Sequence, residues 1–134
     1  MSDEVTAVRA ALEALLNSIQ RADIPTYRTL VSESLTCFEP ATHGNRVDGV
    51  EFHIFQTEAQ EIARKHHIEL VHPVVRVYGD AAYASYTLLV SRDDEDGVTT
   101  TTMNETRVFT KEQGNWKMVH FHRSSPTPEP PRHD

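Results

Sequence analysis

Val5, Val8, Leu12, Leu15, Leu16 and Ile19 recur at helical spacing, with Ala7, Ala11 and Ala14 among them. That period predicts an amphipathic helix ending near Ala22-Asp23, with Asp3 and Glu4 in a first turn where negative charge suits the helix dipole. Pro25 fits the opening of a short second helix carrying Tyr27, Leu30 and Val31. Residues 35–39 read as a brief strand stopped by Pro40, and residues 41–48, which contain Gly44-Asn45, as a loop. A third helix is expected over about 49–66, with Phe52, Phe55, Ala59, Ile62 and Ala63 along its buried stripe. Beyond it the period becomes two. Strands are predicted at 68–78, bulged near Pro73, and at 81–91, 98–111 and 116–123. Gly79-Asp80 makes a tight turn, residues 92–97 a solvated polar connection, and Gln113-Gly114-Asn115 a second turn.

Helices segregated from a meander of long antiparallel strands indicate an α+β fold. A strongly curved antiparallel sheet wrapped around three N-terminal helices would form a cone with one open end. The length suits one domain, assigned to residues 1–125, and a proline-rich tail at 126–134 is expected to be disordered.

The formal net charge of −7 argues against nucleic acid, because a phosphate backbone requires a basic surface. No apolar run approaches the roughly 20 residues that cross a bilayer, and the acidic N-terminus lacks a signal-peptide pattern. A cytoplasmic location without membrane contact is expected. The single cysteine, Cys37, allows no internal disulfide and reads as a buried, inert thiol.

Charge reappears where burial is expected. His53 sits in Phe52-His53-Ile54-Phe55, Arg107 in Arg107-Val108-Phe109 and Arg123 in Val119-His120-Phe121-His122-Arg123. A buried guanidinium is costly without a partner. Alternation places Met103, Glu105, Arg107 and Phe109 on one face of their strand. On the last strand it places Val119, Phe121 and Arg123 on one face. His120 and His122, with Trp116 and Met118 in phase, take the other and form an outer apolar stripe. Tyr86 is in phase with Leu88 on its own strand. If the apolar faces point inward, Arg107 and Arg123 share a cavity that favours an anion, with Glu39 or Glu105 as the counter-ion of Arg107. His120 and His122 have no third ligand at a telling distance, and His66-His67 read as a helix end, so neither a metal nor a cofactor is expected.

These segments resemble a known family. Leu35-Thr36-Cys37-Phe38-Glu39-Pro40, Gly44-Asn45 and Gly49-Val50-Glu51-Phe52-His53 are similar to the association (hub) domain of calcium/calmodulin-dependent protein kinase II. So are Glu105-Thr106-Arg107-Val108, Gly114-Asn115-Trp116-Lys117 and Val119-His120-Phe121-His122-Arg123-Ser124. The resemblance runs over about 5–125 and implies the wider NTF2-like and SnoaL-like cone fold. It further implies a cavity containing Arg107, Arg123, His53, Glu39 and Tyr27, to which parity adds Tyr86, and a small carboxylate ligand. The family often carries another arginine at the position of Leu88. The chain is too short for a kinase and lacks a glycine-rich phosphate loop.

Three functions follow as expectations. The first is an association module, a homodimer or larger ring joined through the outer sheet face, holding a small anion. The second is a SnoaL-like or ketosteroid-isomerase-like enzyme with His53 as general acid or base and Glu39 as its partner. The third is a structural oligomer with a vestigial pocket.

Overall fold

The first helix runs as its pattern predicts. In the computed structural model, which describes residues 3–61, 66–94 and 96–125, α1 spans Asp3–Arg21 and buries Val8, Leu12, Leu15 and Leu16. These recur at i, i+4, i+7 and i+8, a single stripe. Ala22, in the left-handed region at φ 54°, ends the helix. Asp23 then caps α2 (Ile24–Leu30): its carboxylate accepts the Thr26 amide at 3.3 Å and the Thr26 hydroxyl at 2.7 Å.

Strand β1 (Val31–Phe38) begins earlier than predicted and takes Val31 from the helix. Pro40–Thr42 forms one 3-10 turn, and β2 (Val47–Asp48) pairs with β1 inside the stretch expected to be only a loop. Helix α3 (Glu51–Glu61) follows. The strands β3 (His66–Tyr78), β4 (Ala81–Asp94), β5 (Gly97–Glu112) and β6 (Asn115–Ser124) then meander. His66 and His67 therefore open a strand instead of closing a helix. Residues 62–65, at the end of the expected third helix, and the expected tail at 126–134 lie outside the described residues.

The sheet order is β2-β1-β6-β5-β4-β3. Its pairs are antiparallel except β1 with β6, which run parallel. The meander of long strands is antiparallel throughout as expected, and the parallel seam arises because the last strand returns beside β1 in the same direction. The bulge foreseen at Pro73 lies between Val71 and Val74, with His72 at φ 52° on an edge strand that tolerates proline.

Two local registers depart from the pattern. Phe109 pairs with Met118 and Val108 with His120, so Val119 is the extra residue of a bulge. Parity reverses across it. Trp116 and Met118 face the helices and are buried, as is Phe121, with Arg123 further along the same face and partly exposed; no apolar outer stripe forms from Trp116 and Met118. Over residues 51–57 of α3 the buried positions are His53, Ile54 and Thr57, while Phe52 is 37 % and Phe55 71 % exposed. The two rings of the expected stripe thus turn outward, while its further members Ala59, Ile62 and Ala63 lie outside the described side chains. The inner face instead carries polar groups with partners, and Thr57 Oγ1 donates to His53 O at 2.9 Å.

Candidate functional site

Six elements deliver polar groups to the helix-facing side of the sheet. On β5, Glu105, Arg107 and Phe109 alternate inward; on β4, Tyr86, Leu88, Val90 and Arg92 do so in register with them. Strand β6 supplies Phe121 and Arg123, α3 His53, α2 Tyr27 and the end of β1 Glu39.

Arg107 is 2 % exposed and held on every side. Its Nη2 donates to Glu105 Oε1 at 3.0 Å, its Nε to Tyr86 Oη at 2.9 Å and to Glu105 Oε1 at 3.2 Å, and its Nη1 to Met118 Sδ at 3.2 Å. The guanidinium lies 4.6 Å from the Phe121 ring centroid. Tyr86 in turn donates to Glu105 Oε1 at 2.5 Å. Of the two counter-ions open from sequence, Arg107 takes Glu105 and not Glu39. The pair is buried but satisfied, which is the condition for it to be tolerated.

Arg123 is held differently. Its Nε lies 3.3 Å from Glu105 Oε2, yet neither atom finds a hydrogen-bond partner among the described residues, so this is a charge contact without donor alignment. Its side chain is 22 % exposed. One carboxylate thus stands between two guanidinium groups, and Arg123 keeps donors to offer.

His53, 5 % exposed, takes the Tyr27 hydroxyl at Nδ1, and its ring packs against Phe121 with centroids 4.9 Å apart. Burial, then Arg107 and Arg123, push its pKa down to about 3. Burial raises the Tyr27 pKa well above the usual range, so that hydroxyl keeps its proton and donates it. This assigns the neutral imidazole a proton on Nε2.

Burial also pushes Glu105 up, but Arg107, Arg123 and the Tyr86 hydrogen bond outweigh it and hold the carboxyl below the ordinary range. Arg107 is locked in its charged form, burial being overcome by Glu105 and Tyr86. Glu39 goes the other way. Burial raises its pKa, only partly countered by Arg123 and Arg107, and its Oε1 has no hydrogen-bond partner. Cys37 is buried, and burial followed by Glu39 raises its thiol to about 11, which makes it inert.

The open space follows from this layout. A cavity of about 190 Å³ is lined by Glu39, His53, Gln56, Thr57, Arg92, Met103 and Arg123 among others. A smaller hollow of about 40 Å³ shares His53, Arg92 and Arg123 and adds Leu88, Glu105 and Arg107. Of the six residues expected at the pocket, Arg107, Arg123, His53 and Glu39 line these hollows. Tyr27 and Tyr86 stand behind the wall, orienting His53 and the Glu105–Arg107 pair. Arg92 was missed. The signal was present, since Arg92 is in phase with Leu88 and Val90. Ending the strand at Ser91 hid it, whereas β4 runs to Asp94.

A wider hollow, about 470 Å³, is lined by Ser85, Thr87, Asn104, Thr106 and His122, together with Tyr86 and Glu105. Neither arginine nor lysine lines it among the described residues. His120 Nδ1 bonds Thr36 Oγ1 at 2.7 Å, and Phe38 packs against His120 and His122.

Residues 4–127 match the profile of the calcium/calmodulin dependent protein kinase II association domain. Calcium/calmodulin-dependent protein kinase type II of Caenorhabditis briggsae is 38% identical over 115 residues, covering 84% of this chain and 21% of that protein. The chain thus spans about a fifth of the length of the curated relatives it matches. The association domain of the C. elegans kinase superposes with a TM-score of 0.83 at 36% identity, over 92% of this chain and 100% of that one. An NTF2-like protein from Cytophaga hutchinsonii shares the fold, with a TM-score of 0.77 at 18% identity, over 93% of this chain and 99% of that one. The cone, the segments around Glu39, His53, Arg107 and Arg123, and these matches agree, and the chain belongs to the calcium/calmodulin-dependent protein kinase II association-domain family.

Proposed function

We propose that this chain is an association module that assembles with copies of itself and holds a small carboxylate-type anion in the arginine-lined cavity. The observation that carries the anion reading is the charge balance of the cavity. Three guanidinium groups, Arg92, Arg107 and Arg123, reach it. Against them stand Glu105, held ionised, and Glu39, whose burial disfavours its charge. His53 contributes no charge above about pH 3. Arg107 is neutralised where it sits, so the exposed donors are those of Arg123 and Arg92. A carboxylate can accept two parallel hydrogen bonds from such a guanidinium, a geometry that adds orientation as well as energy.

Acid–base catalysis finds less support. A histidine with a pKa near 3, its Nδ1 already engaged by Tyr27, is a weak base and is not an acid at neutral pH. Its fixed Nε2–H suits it to donate a hydrogen bond to a bound anion.

Thermal denaturation with a panel of small carboxylates tests the reading. At 100 times its dissociation constant a ligand stabilises by about 2.7 kcal/mol, several degrees for a chain of this size. The panel is expected to raise the melting temperature of the wild type and to leave that of Arg123→Ala almost unmoved. Arg123 is the variant of choice because truncating Arg107 would leave Glu105 charged and buried without its partner. If no carboxylate stabilises the wild type, the anion site is wrong.

A further inference from the structure

Glu39 is the buried group that this ion balance leaves unused. It is 6 % exposed, it lines the cavity with Arg123 and His53, and its Oε1 meets no hydrogen-bond partner among the described residues. No ion pair within 4 Å joins it to either arginine among the described residues. An ionised carboxylate placed there would repel the anion that the arginines attract. A protonated one would present an O–H to it.

We propose that the cavity takes up a carboxylate together with one proton, which Glu39 holds on Oε1 and donates as a hydrogen bond to the bound anion. The inference rests on the anion reading above and adds the proton to it. The balance is simple: an ionised Glu39, a carboxylate and one proton from water give a neutral Glu39 hydrogen-bonded to the carboxylate. An O–H···O⁻ bond between a carboxyl and a carboxylate is of the short, charge-assisted kind.

The surroundings of Glu39 favour this coupling from every side. Arg123 on β6 and Arg107 on β5 pull toward the ionised form, and Glu105 on β5 pushes against it. His53 on α3, Tyr27 on α2 and Cys37 on β1 are neutral at physiological pH. Arg92 on β4 lines the same space. An anion seated on Arg123 and Arg92 screens the charges that favour ionised Glu39 and adds a negative charge beside it. Both effects raise the proton affinity of Glu39. By linkage, the anion then binds more tightly as the pH falls. Affinity is lost by up to about tenfold per pH unit above the point where free Glu39 ionises.

Calorimetric titration of propionate into the wild type, at pH 5.5 and 7.5 and in two buffers of different ionisation enthalpy, counts the protons taken up. Uptake approaching one proton at the higher pH is expected, with weaker affinity there. Glu39→Gln, a permanent mimic of the neutral acid, should bind with no uptake and with nearly equal affinity at both pH values. His53→Gln should retain the uptake, which separates Glu39 from the imidazole on the cavity wall. Should Glu39→Gln not fold, carbon NMR of the Glu39 carboxyl in the wild type, with and without propionate, reports the same protonation. Propionate binding without proton uptake, or uptake that persists in Glu39→Gln, overturns this inference and leaves the anion site standing. Absence of propionate binding at both pH values removes the two together.

Discussion

His53 shows how a single buried side chain acquires a consequence for the whole chain. Its folded pKa is about 3, against about 6.5 when exposed. Between those values the unfolded ring binds a proton that the folded ring does not, so stability falls as the pH falls from about 6.5 toward 3. The slope from this one group reaches about 1.4 kcal/mol per pH unit. Glu105 adds to acid sensitivity lower down: its depressed pKa gives stability above about 4.5 that is lost as its carboxylate is protonated. Urea unfolding from pH 7 to 4 should therefore show a shallower loss in His53→Gln than in the wild type, and parallel profiles would contradict the burial of a neutral imidazole. At this scale much of the site was legible. Period-two alternation on β5 alone turned Arg107 and Glu105 inward, and the cost of burying a guanidinium demanded a counter-ion. The choice between Glu39 and Glu105 was not legible. It depends on which carboxylate reaches 3.0 Å, and both lie close enough in the fold to influence the same charge.

At the scale of the element, pattern and packing diverge at α3 and β6. The apolar stripe of Phe52 and Phe55 obeys helical spacing, yet α3 buries the neighbouring stripe, because His53 must meet Tyr27 and Thr57 closes on the helix backbone. Two large rings are thereby left at the surface of an element that also frames the cavity. Such exposed aromatics are enriched in protein interfaces. Phe55→Asp, at 71 % exposure, is expected to change the stability of the folded chain by no more than about 0.5 kcal/mol while weakening self-association. Sedimentation velocity over a concentration series checks this, and unchanged assembly would assign the rings no part in it. On β6 the bulge at Val119 reverses parity in mid-strand. It thereby brings Trp116 and Met118 into the same core as Phe121 and onto the same face as Arg123. No residue type announces that bulge. It exists because β6 must match β5 on one side and β1 on the other.

The whole molecule is a curled sheet with one side given to helices and an arginine-lined hollow, and the other to hydroxyls, amides and histidines. A second copy of the chain is the partner proposed for the outer face and for the rings of α3. Light scattering is expected to give a mass of at least two chains, and a monomer at high concentration would remove the assembly proposal without touching the cavity.

The sequence by itself determined three helices, the strand after the second and the four long strands in their order, the hairpin turns at Gly79 and Gly114, and the shared face of Glu105 and Arg107. These depend on periods of 3.6 and 2 and on backbone freedom, which are properties of neighbouring residues. Only the tertiary structure decided the parallel seam between β1 and β6, the inward face of α3 and the bulge at Val119. Each depends on residues far apart in the chain, such as Thr36 and His120, 84 positions apart and joined by one 2.7 Å hydrogen bond. Local periodicity constrains where a side chain points, and packing against distant elements decides what it meets there.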